Sequence, residues 1–464
     1  MGYKNSYNIF LISTILIFAF FCIYQINLED LWYDELLTFW ITNPSFSNQE
    51  TYQNIILYEN TPPLYYFIIK YFFNIFGYNP DFVRYPNVIF NILSLFILFK
   101  ISSLISDKKF FIYSCVALFS LNYFIVSYSQ EARVYSFFCF TATLYIYFYL
   151  KTLSCNDIFT YILFFLSGFL ALNSFIFSAL ILTTIIFFEI INYKKIAKFY
   201  IIQSINALTI IISIYLNLDF IESIANFRAT SINLPDFNFY FLNFFFKQFF
   251  GSKIMGLIFF LCFLISLIKI IKNLKKQNKS GEINFLSLVI LISYAIPLAY
   301  GYIFQPVLND KYIIYIVPVI IIIISFHFSI DNQNIYKKIL IFLIFISFVN
   351  LIIKIKKSEI DKPEFSKIIN EILQNNDNDK IFIYGLTIGP NKKLDNLSIN
   401  NYLEQKIISN KLIAINKKIK KNTWVICYDP SNLFEKCLKT LKAIKFENNI
   451  KQKIKRYMVT AYLL

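Results

Sequence analysis

Several residue types that build common active sites are scarce in this chain of 464 residues. It has one histidine, His327, which lies inside an apolar run, and seven cysteines without a Cys-x-x-Cys spacing. A lone histidine in such a run is best explained by a structural role, and a zinc ribbon needs closely paired cysteines. Histidine-based catalysis and multi-histidine metal sites are therefore excluded, and a zinc ribbon is disfavoured.

Acidic residues are also few, since 28 Asp and Glu stand against 44 Lys and Arg, and the formal net charge is +16. The basic residues fall between apolar runs and in the C-terminal tail. In those places they suit anionic lipid headgroups better than nucleic acid. We therefore expect membrane lipids, and no nucleic acid, among the partners.

Apolar residues are abundant, because they make up 57% of the chain and include 55 Phe and 34 Tyr. Many segments are long enough to cross about 30 Å of hydrocarbon. The predicted spans are residues 8–26, 86–105, 109–127, 133–150, 157–173, 174–192, 199–217, 253–271, 284–303, 312–330 and 337–353. Residues 62–77 are shorter and begin with two prolines, which suits the start of an interfacial helix. No small-residue cleavage site follows the first span, so it is expected to remain as an anchor.

The distribution of basic residues predicts the orientation of the chain. With residues 62–77 at the interface, fourteen basic residues fall on one side and seven on the other before the tail. Positively charged loops stay in the cytoplasm. The N-terminus is therefore predicted to be cytoplasmic, with the protein in the inner membrane, or in the plasma membrane of a single-membrane cell.

Residues 355–464 differ in character from the rest of the chain, because short apolar runs alternate there with helix-like segments. Strands are predicted at 381–385, 423–429 and 457–463, and helices at 362–373 and 430–441. This tail is predicted to be a small extracytoplasmic α/β domain that covers the site, binds the acceptor or is structural. Its Cys427 and Cys437 could pair in an oxidising compartment. Residues 1–354 are predicted to form an all-α polytopic membrane domain of about eleven spans plus interfacial helices, with a first outer loop at 27–84.

The segment NLEDLWYDE at residues 27–35 follows the first span directly and places four carboxylates within seven residues. Carboxylates at a membrane face are costly to desolvate and are commonly functional there. Asp34 is the candidate general base, and Glu35 is expected to orient it or to contact the acceptor. A solvated helix cap is the simpler explanation for such acids, and it is preferred for Glu29 and Asp30.

Cations stand at the predicted outer ends of other spans: Arg84, Arg133 with Glu131 nearby, and Lys311. A carboxylate can deprotonate an acceptor hydroxyl or amine, while cations hold a phosphate and offset the charge that develops as it leaves. One base and a group of cations thus suffice for glycosyl transfer from a lipid-linked phosphosugar. Pairing with neighbours, or a snorkelling lysine, is the simpler alternative. The predicted substrate-binding residues are Glu131, Tyr65, Tyr135 and Tyr312.

Four segments within residues 8–140, taken in order, resemble one family. They are LWYDE, TPPLYYFIIKYFFNIFG, VRYPNVIFNILS and YSQEARVYSFF, and QPVLNDKYIIYIVP at 305–318 adds a fifth. Together they are similar to the GT-C superfamily of membrane glycosyltransferases, especially the bacterial relatives of protein O-mannosyltransferases and of aminoarabinose transferases. The resemblance implies a catalytic base at Asp34 and a polyprenyl- or dolichyl-phosphate sugar donor. It also implies no essential metal, although a divalent cation at Asp34 and Glu35 stays open.

The chain departs from the family pattern at a few positions. Thr61 stands where many relatives have histidine before the double proline, and Lys311 stands where many have arginine. No histidine occurs near Asn173 or Ser174, where relatives often carry one. Because lysine cannot make the bidentate phosphate contact of arginine, the geometry or identity of the donor stays open.

We therefore predict an inverting, polyprenyl-phosphate-sugar-dependent hexosyl- or pentosyltransferase whose acceptor is a glycolipid, a polysaccharide or a protein. A transporter or flippase for a lipid-linked sugar is one alternative. It also needs a groove and cations, but coupling acids would then be expected at mid-membrane. A non-catalytic envelope-assembly subunit is the other alternative, for which Thr61 and Lys311 leave room.

Overall fold

The computed structural model describes residues 2–59, 61–192, 196–226, 239–273, 281–330, 334–356, 362–374, 381–387, 392–407, 413–415, 422–429, 439, 441 and 450–464. Within these ranges the protein has nineteen α-helices and one five-stranded sheet. Most of the helix predicted at 430–441 lies outside the described residues, as does Cys437. Cys427, the other cysteine of the tail, is buried and disulfide-bonded.

Seventeen helices make up the described part of the N-terminal region. They are α1 Gly2–Ile23, α2 Tyr33–Ile41, α3 Asn48–Tyr58, α4 Leu64–Phe76, α5 Tyr85–Ile105, α6 Lys109–Ser120, α7 Tyr123–Ser129, α8 Tyr135–Ser154, α9 Ile158–Leu172, α10 Ala179–Ile191, α11 Ile196–Leu216, α12 Leu218–Asn226, α13 Phe239–Phe250, α14 Lys253–Asn273, α15 Gly281–Ile303, α16 Ile316–Ile330 and α17 Asn334–Lys356. Each of the eleven predicted spans falls on one or two of these helices. The all-α membrane architecture is therefore confirmed.

Five helical segments are long and apolar enough to cross a membrane, and α6 with α7 forms a sixth candidate that bends by 52°. The five are Pro80–Ile105, Ala197–Leu216, Lys253–Ile270, Gly281–Ile303 and Asn334–Lys356. Helices α1, α9, α10 and α16 contribute shorter apolar stretches. Large apolar side chains on α1 and α17, such as Leu16 and Phe345, are exposed and suit contact with lipid tails. The chain is a multi-pass membrane protein.

Helix α16 lies at the centre of the bundle, because its isoleucines at 320–324 are almost completely buried. It packs against α6, α14, α15 and α17. By contrast, only 22% of the apolar windows of α11 and α17 is buried. The bundle therefore has a buried apolar centre and a periphery whose apolar faces require a lipid environment.

The first outer segment, predicted as a loop with one interfacial helix, contains three helices, α2, α3 and α4. Helix α3 was not predicted, although Ser47 and Glu50 form a capping box at its start. Helix α4 has 13 residues, as does α10, and both are shorter than about 30 Å of hydrocarbon at a rise of about 1.5 Å per residue. Lys70 of α4 is buried and donates to the Phe46 carbonyl at 2.6 Å and to Thr51 at 2.9 Å. These bonds tie α4 to the residues that precede and begin α3.

The C-terminal part is a small α/β domain, as predicted. It contains α18 (Phe365–Gln374), α19 (Lys392–Ile407) and strands β1 (Ile381–Thr387), β2 (Ile413–Ile415), β3 (Thr423–Tyr428), β4 (Gln452–Arg456) and β5 (Val459–Leu463). The strand order is β2-β1-β3-β5-β4, with β2, β1 and β3 parallel and the other two pairings antiparallel. Strand β3 is buried along its whole length, whereas β4 exposes every residue except Ile454. That difference is expected between a central strand and a charged edge strand.

Candidate active site

Asp34 and Glu35 lie in the first turn of α2, which begins at Tyr33, and so they are not part of a loop. Acidic side chains are favourable there because of the positive end of the helix dipole. Successive residues of an α-helix are rotated by roughly 100° about its axis, so the two neighbouring carboxylates point in different directions. Their surroundings differ accordingly.

Glu35 points into the protein and is completely buried. Arg84 forms a two-pronged ion pair with it, with Nε to Oε1 and Nη2 to Oε2 both at 2.8 Å. The Ala132 N–H donates to Oε1 at 2.7 Å, and the Lys362 ammonium lies 3.2 Å from Oε2. The Trp32 N–H adds a longer bond of 3.3 Å. Both oxygens of Glu35 are therefore occupied by the protein itself.

The pKa of Glu35 reflects these contacts. Burial alone would raise it, but the charges of Arg84 and Lys362, with the hydrogen bonds from Arg84 and Ala132, bring the pKa to about 2. The side chain is thus ionised and held in place. This geometry does not support the prediction that Glu35 contacts the acceptor, because no lone pair is left for a ligand. Glu35 fixes the start of α2 instead.

The hydrogen-bond donors of Arg84 are also all used within the protein. An arginine has five N–H donors, and the three that do not bind Glu35 reach the carbonyls of Ile26 at 2.7 Å, Glu29 at 2.8 Å and Asp30 at 3.2 Å. With every donor used and only 2% of the residue exposed, Arg84 has nothing to offer a lipid phosphate. The geometry therefore does not support its predicted role in donor binding. Arg84 holds the segment that connects α1 to α2.

Asp34 has the opposite environment. Its side chain is partly exposed, and its carboxylate makes no hydrogen bond or ion pair with any residue that the structure describes. Only its backbone carbonyl is engaged, by Thr38 Oγ1 at 3.0 Å and Arg133 Nη1 at 3.2 Å. Of the two acids in the first turn of α2, Asp34 is therefore the one that a substrate can use.

Arg133 stands beside Asp34 and is held by a residue that the sequence reasoning missed, Glu59. Their ion pair is two-pronged, with Nη1 to Oε1 at 2.6 Å and Nη2 to Oε2 at 3.0 Å. Thr38 Oγ1 accepts a further bond from Nη1 at 3.1 Å. The buried Nε has no partner among the described residues. Arg133 thus has one unused donor, but that atom is buried, and a ligand can reach it only after a rearrangement. The only sequence signal for Glu59 was its place two residues before Thr61.

Lys311 lies over an aromatic floor formed by Tyr135 and Tyr312. Its ammonium is 5.1 Å from the ring centre of Tyr135 and 6.0 Å from that of Tyr312, distances at which a cation is attracted to a ring. The two rings are 6.3 Å apart, and Phe175 lies 5.2 Å from Tyr312. Within the described parts of the chain, Lys311 has no carboxylate within 4 Å. Of the three predicted phosphate ligands, Lys311 therefore has the fewest side-chain bonds to other described residues.

Direct contacts connect this floor to Asp34. Arg133 donates to the backbone carbonyl of Asp34, and Tyr135, two residues further along, contacts Lys311 and Tyr312. The predicted residues Asp34, Arg133, Tyr135, Lys311 and Tyr312 therefore border one region, the cleft.

Comparisons with known proteins agree with this architecture. Residues 60–217 match the family model described as dolichyl-phosphate-mannose-protein mannosyltransferase. The crystal structure of ArnT from Cupriavidus metallidurans in the apo state aligns with a TM-score of 0.58 at 8% identity, covering 99% of this chain and 98% of that one. The same protein bound to undecaprenyl phosphate aligns with a TM-score of 0.56 at 9% identity, covering 98% of both chains.

An oligosaccharyltransferase of Archaeoglobus fulgidus, in complex with zinc and sulfate, aligns with a TM-score of 0.51 at 10% identity over 90% of this chain and 68% of that chain. No curated protein sequence matches the chain. The chain has the GT-C fold. The superfamily resemblance drawn from the four ordered sequence segments is thereby confirmed.

Tyr65 and Glu131, the remaining predicted substrate-binding residues, differ in how accessible they are. Tyr65 of α4 is completely buried, donates to Asn87 at 3.3 Å and packs against the rings of Tyr66 and Phe137. It cannot touch a substrate without a rearrangement, so the geometry does not support its predicted role. Glu131 is partly exposed, and its carboxylate makes no hydrogen bond with any described residue.

Glu131 lines a cavity of about 610 Å³ at the ends of α1, α7 and α17, together with Glu29, Gln130, Lys354 and Lys362. Burial raises the pKa of Glu131 to about 7, with the nearby charge of Glu35 adding to the shift and Lys362 and Lys311 opposing it. A carboxyl group in this state can give or accept a proton near neutral pH. Glu131 therefore remains a candidate for contact with a substrate.

The residues at the positions where relatives often carry histidine are hydrogen-bonded within the protein. Thr61 is buried and shares a 2.9 Å bond with Tyr66. Asn173 bonds to Ser213 at 3.0 Å and accepts from Asn217 at 2.7 Å, and Ser174 pairs with Thr141 at 2.8 Å. Polar networks thus occupy the places where relatives often carry histidine.

Among the described residues, no group of three or more His, Cys, Asp and Glu side chains is arranged to hold a metal ion. Asp34 and Glu35 do not present two free carboxylates to a cation, because Glu35 is bonded to Arg84 and Lys362. Any divalent cation at Asp34 would therefore have to draw its other ligands largely from water and the substrate.

Proposed function

We propose that this chain is an inverting glycosyltransferase that moves a sugar from a polyprenyl-phosphate-linked donor to an acceptor at the outer face of the membrane. The observation that carries the proposal is the contrast within α2, where Glu35 is fully bonded while Asp34 is open to a ligand. The family model that matches residues 60–217 and the fold shared with ArnT, solved with undecaprenyl phosphate, support it.

Asp34 would act as the general base. It would take the proton from an acceptor hydroxyl or amine as that group attacks the anomeric carbon of the donor. The bond between that carbon and the phosphate oxygen would break in the same step, so the anomeric configuration would invert. The leaving group would be polyprenyl phosphate, which departs as an anion and needs no acid to protonate it.

Lys311 would hold the phosphate, because no carboxylate of the described residues pairs with it. Arg133 is paired with Glu59, and it would add its buried, unpartnered Nε once donor binding uncovers that atom. Their charges would offset the negative charge that develops on the leaving phosphate. Because these side chains supply the positive charge, the proposal needs no metal ion.

The aromatic floor would hold the sugar. Flat aromatic rings present apolar faces to a sugar while their hydroxyl groups stay available for hydrogen bonds. Tyr135, Tyr312 and Phe175 form such a surface under Lys311. A hexose and a pentose both fit this description, so the sugar stays open. The acceptor stays open as well, among a glycolipid, a polysaccharide and a protein.

The sidedness of the proposal follows from the charge bias of the loops. The cytoplasmic N-terminus and the location in an inner or plasma membrane remain proposals that rest on the distribution of basic residues. They place Asp34, Lys311 and the C-terminal domain on the extracytoplasmic side. A lipid-linked donor would then reach Asp34 from the outer leaflet.

The test compares two Asp→Asn variants of the full chain in nanodiscs. A panel of radiolabelled polyprenyl-phosphate sugars is offered with an extract of the host envelope. Loss of a general base lowers turnover by about 10²- to 10⁴-fold, so Asp34→Asn should lose transfer to that extent while still binding donor. Asp107→Asn is the matched control, because Asp107 is exposed between α5 and α6, far along the chain from the cleft residues.

The outcomes separate the proposal from its alternatives. Transfer by wild type and Asp107→Asn, but not by Asp34→Asn, supports a transferase with Asp34 as its base, and the labelled product identifies the acceptor class. Equal transfer by all three proteins would refute the role of Asp34. Folded wild type that moves labelled lipid across the bilayer without transferring sugar would point to a flippase, and one that does neither would point to an assembly subunit.

A further inference from the structure

The C-terminal domain contacts the segment that carries Asp34 through polar bonds that are specific in position. Helix α19 packs against α2, and three separate parts of the domain reach residues 30–35. Most surface contacts between domains are made by solvated side chains with little geometric constraint. These bonds instead end on both sides of Asp34.

Asp30, expected from the sequence to be a solvated or capping residue, is bound by the C-terminal domain. Its carboxylate accepts from the Ser366 N–H at 2.7 Å, from Ser366 Oγ at 2.5 Å and from the Tyr402 hydroxyl at 2.7 Å. Arg84 holds the backbone carbonyl of the same residue. Asp30 is therefore fixed from the membrane domain and from the C-terminal domain at once.

Lys362 reaches the buried Glu35. Its ammonium lies 3.2 Å from Oε2, and its side chain is only 18% exposed. A second carboxylate, that of Glu29, lies 4.0 Å away. Lys362 precedes α18, so the membrane-proximal start of the C-terminal domain supplies the second cation of the Glu35 site. Charge-assisted bonds of this kind are stronger and more directional than neutral ones.

Tyr428, the last residue of β3, reaches the first residue of α2. The Tyr33 N–H donates to the Tyr428 hydroxyl at 3.2 Å. Amide groups in the first turn of a helix have no partner within the helix and need one from elsewhere. The central strand of the sheet provides that partner immediately before Asp34. Tyr428 is almost completely buried, so water does not compete freely for this bond.

We propose that the C-terminal domain is a working part of the active site, because it holds α2 in the position that aims Asp34 into the cleft. Tyr428 and Lys362 are the positioning residues, acting on Tyr33 and Glu35, which flank Asp34. A helix of nine residues is marginal by itself. Its first turn is therefore fixed by partners outside it. The catalytic part of this proposal rests on the role of Asp34 given above.

The test uses two Tyr→Phe variants in the same domain of the full chain in nanodiscs. Tyr428→Phe removes the hydroxyl that Tyr33 N–H binds, whereas Tyr462→Phe removes a buried hydroxyl that has no hydrogen-bond partner among the described residues. Tyr428→Phe should lower kcat about tenfold, the upper end for one hydrogen bond, with KM for the donor unchanged. Tyr462→Phe should change neither constant.

Hydrogen exchange of the peptide that covers α2 supplies a readout that does not depend on activity. Tyr428→Phe and Lys362→Gln should speed exchange in α2 but not in α3, and Lys362→Arg should restore it by returning the charge near Glu35. An equal effect of Tyr462→Phe, or unchanged exchange in Tyr428→Phe and Lys362→Gln, would overturn the proposal.

Activity and exchange together keep the two hypotheses apart. Faster exchange in α2 with unchanged kcat would overturn the positioning role, since α2 would then be held without benefit to turnover. Wild type that transfers no sugar would refute the proposed function alone. In that case the exchange comparison would still decide whether the C-terminal domain holds α2.

Discussion

The two sides of helix α2 differ in how many of their charged groups are already bonded to the protein. On one side, Glu35 and Arg84 form a closed network in which both carboxylate oxygens and all five guanidinium donors are used. On the other side, Asp34 is open, and Arg133 keeps an unpartnered Nε. Adjacent acids thus have different surroundings, since Glu35 is bonded to the protein while Asp34 is open to the substrate that we propose.

Arg84 and Arg133 differ in the same way, namely in how many of their hydrogen-bond donors are used. Arg84 is 2% exposed and Arg133 is 8% exposed, so exposure hardly separates them. The number of committed donors does separate them, because Glu35 and three carbonyls exhaust Arg84 while Glu59, Thr38 and Asp34 leave part of Arg133 free. The capacity of a buried cation to bind a ligand is set by its unused donors.

The largest loss of stability is expected from a substitution in the Glu35–Arg84 network, on the closed side of α2. Glu35→Gln leaves the buried Arg84 without its counter-charge, and breaking a buried pair by removing one partner costs about 3–5 kcal/mol. The variant should therefore unfold at a lower temperature or fail to accumulate, which a thermal unfolding assay in nanodiscs measures. Asp34→Asn should unfold like wild type, because its carboxylate holds nothing in place.

Glu404→Gln is the control for that comparison, since Glu404 is an exposed residue of α19. It should unfold like wild type. A Glu35→Gln protein that is as stable as wild type would contradict the assignment of Glu35 to a structural network. It would return Glu35 to the set of residues available to the substrate.

The second prediction contrasts the pH dependence of Glu35 with that of Glu131. The pKa of Glu35 is lowered from 4.5 to about 2 in the folded protein, so its stabilisation is present above about pH 4.5 and is lost as the pH falls towards 2. The pKa of Glu131 is raised from 4.5 to about 7, so the folded protein binds this proton more tightly. Glu131 therefore lowers the stability as the pH rises from about 4.5 to 7.

Glu131→Gln removes that loss, because the amide does not ionise. The variant should be more stable than wild type at pH 8, by at most about 3 kcal/mol, and similar to it at pH 5. Thermal unfolding across pH 5–8 measures the difference, with Glu404→Gln run in parallel. A Glu131→Gln curve that parallels wild type throughout this range would show that Glu131 does not change its charge there.

Much of the fold could be predicted from the sequence because it depends on local chemistry. Long apolar runs fall on helices wherever they were predicted, and residues 62–77 form the short helix α4, whose interfacial position stays a prediction. Helix α3 was missed, although Ser47 and Glu50 carry its capping signal. Strand β4 was not predicted, because Ile454 is its only buried residue and lies among Lys453, Lys455 and Arg456.

The candidate site was harder to predict from the sequence than the fold, because its contacts join residues that are distant in sequence. Glu59 meets Arg133 across 74 positions, and Tyr33 meets Tyr428 across 395. No composition or spacing brings such residues together, whereas tertiary packing does. Even the adjacent acids were separable only after α2 was seen to begin at Tyr33, since the start of the helix decides which way each side chain points.

The smallest effect is expected on the open side, at Lys311. Lys311→Gln removes a charge that faces the cleft without an ion-pair partner in the described chain, so KM for the donor should rise about tenfold with thermal stability unchanged. Lys311→Arg should preserve donor binding, because arginine offers the two-pronged phosphate contact that lysine lacks. Lys253→Gln, at the exposed start of α14, is the matched control and should behave like wild type. If Lys253→Gln weakened donor binding as much as Lys311→Gln, the effect would belong to the overall charge of the outer face. The open side of α2 would then contain a base but no specific phosphate site.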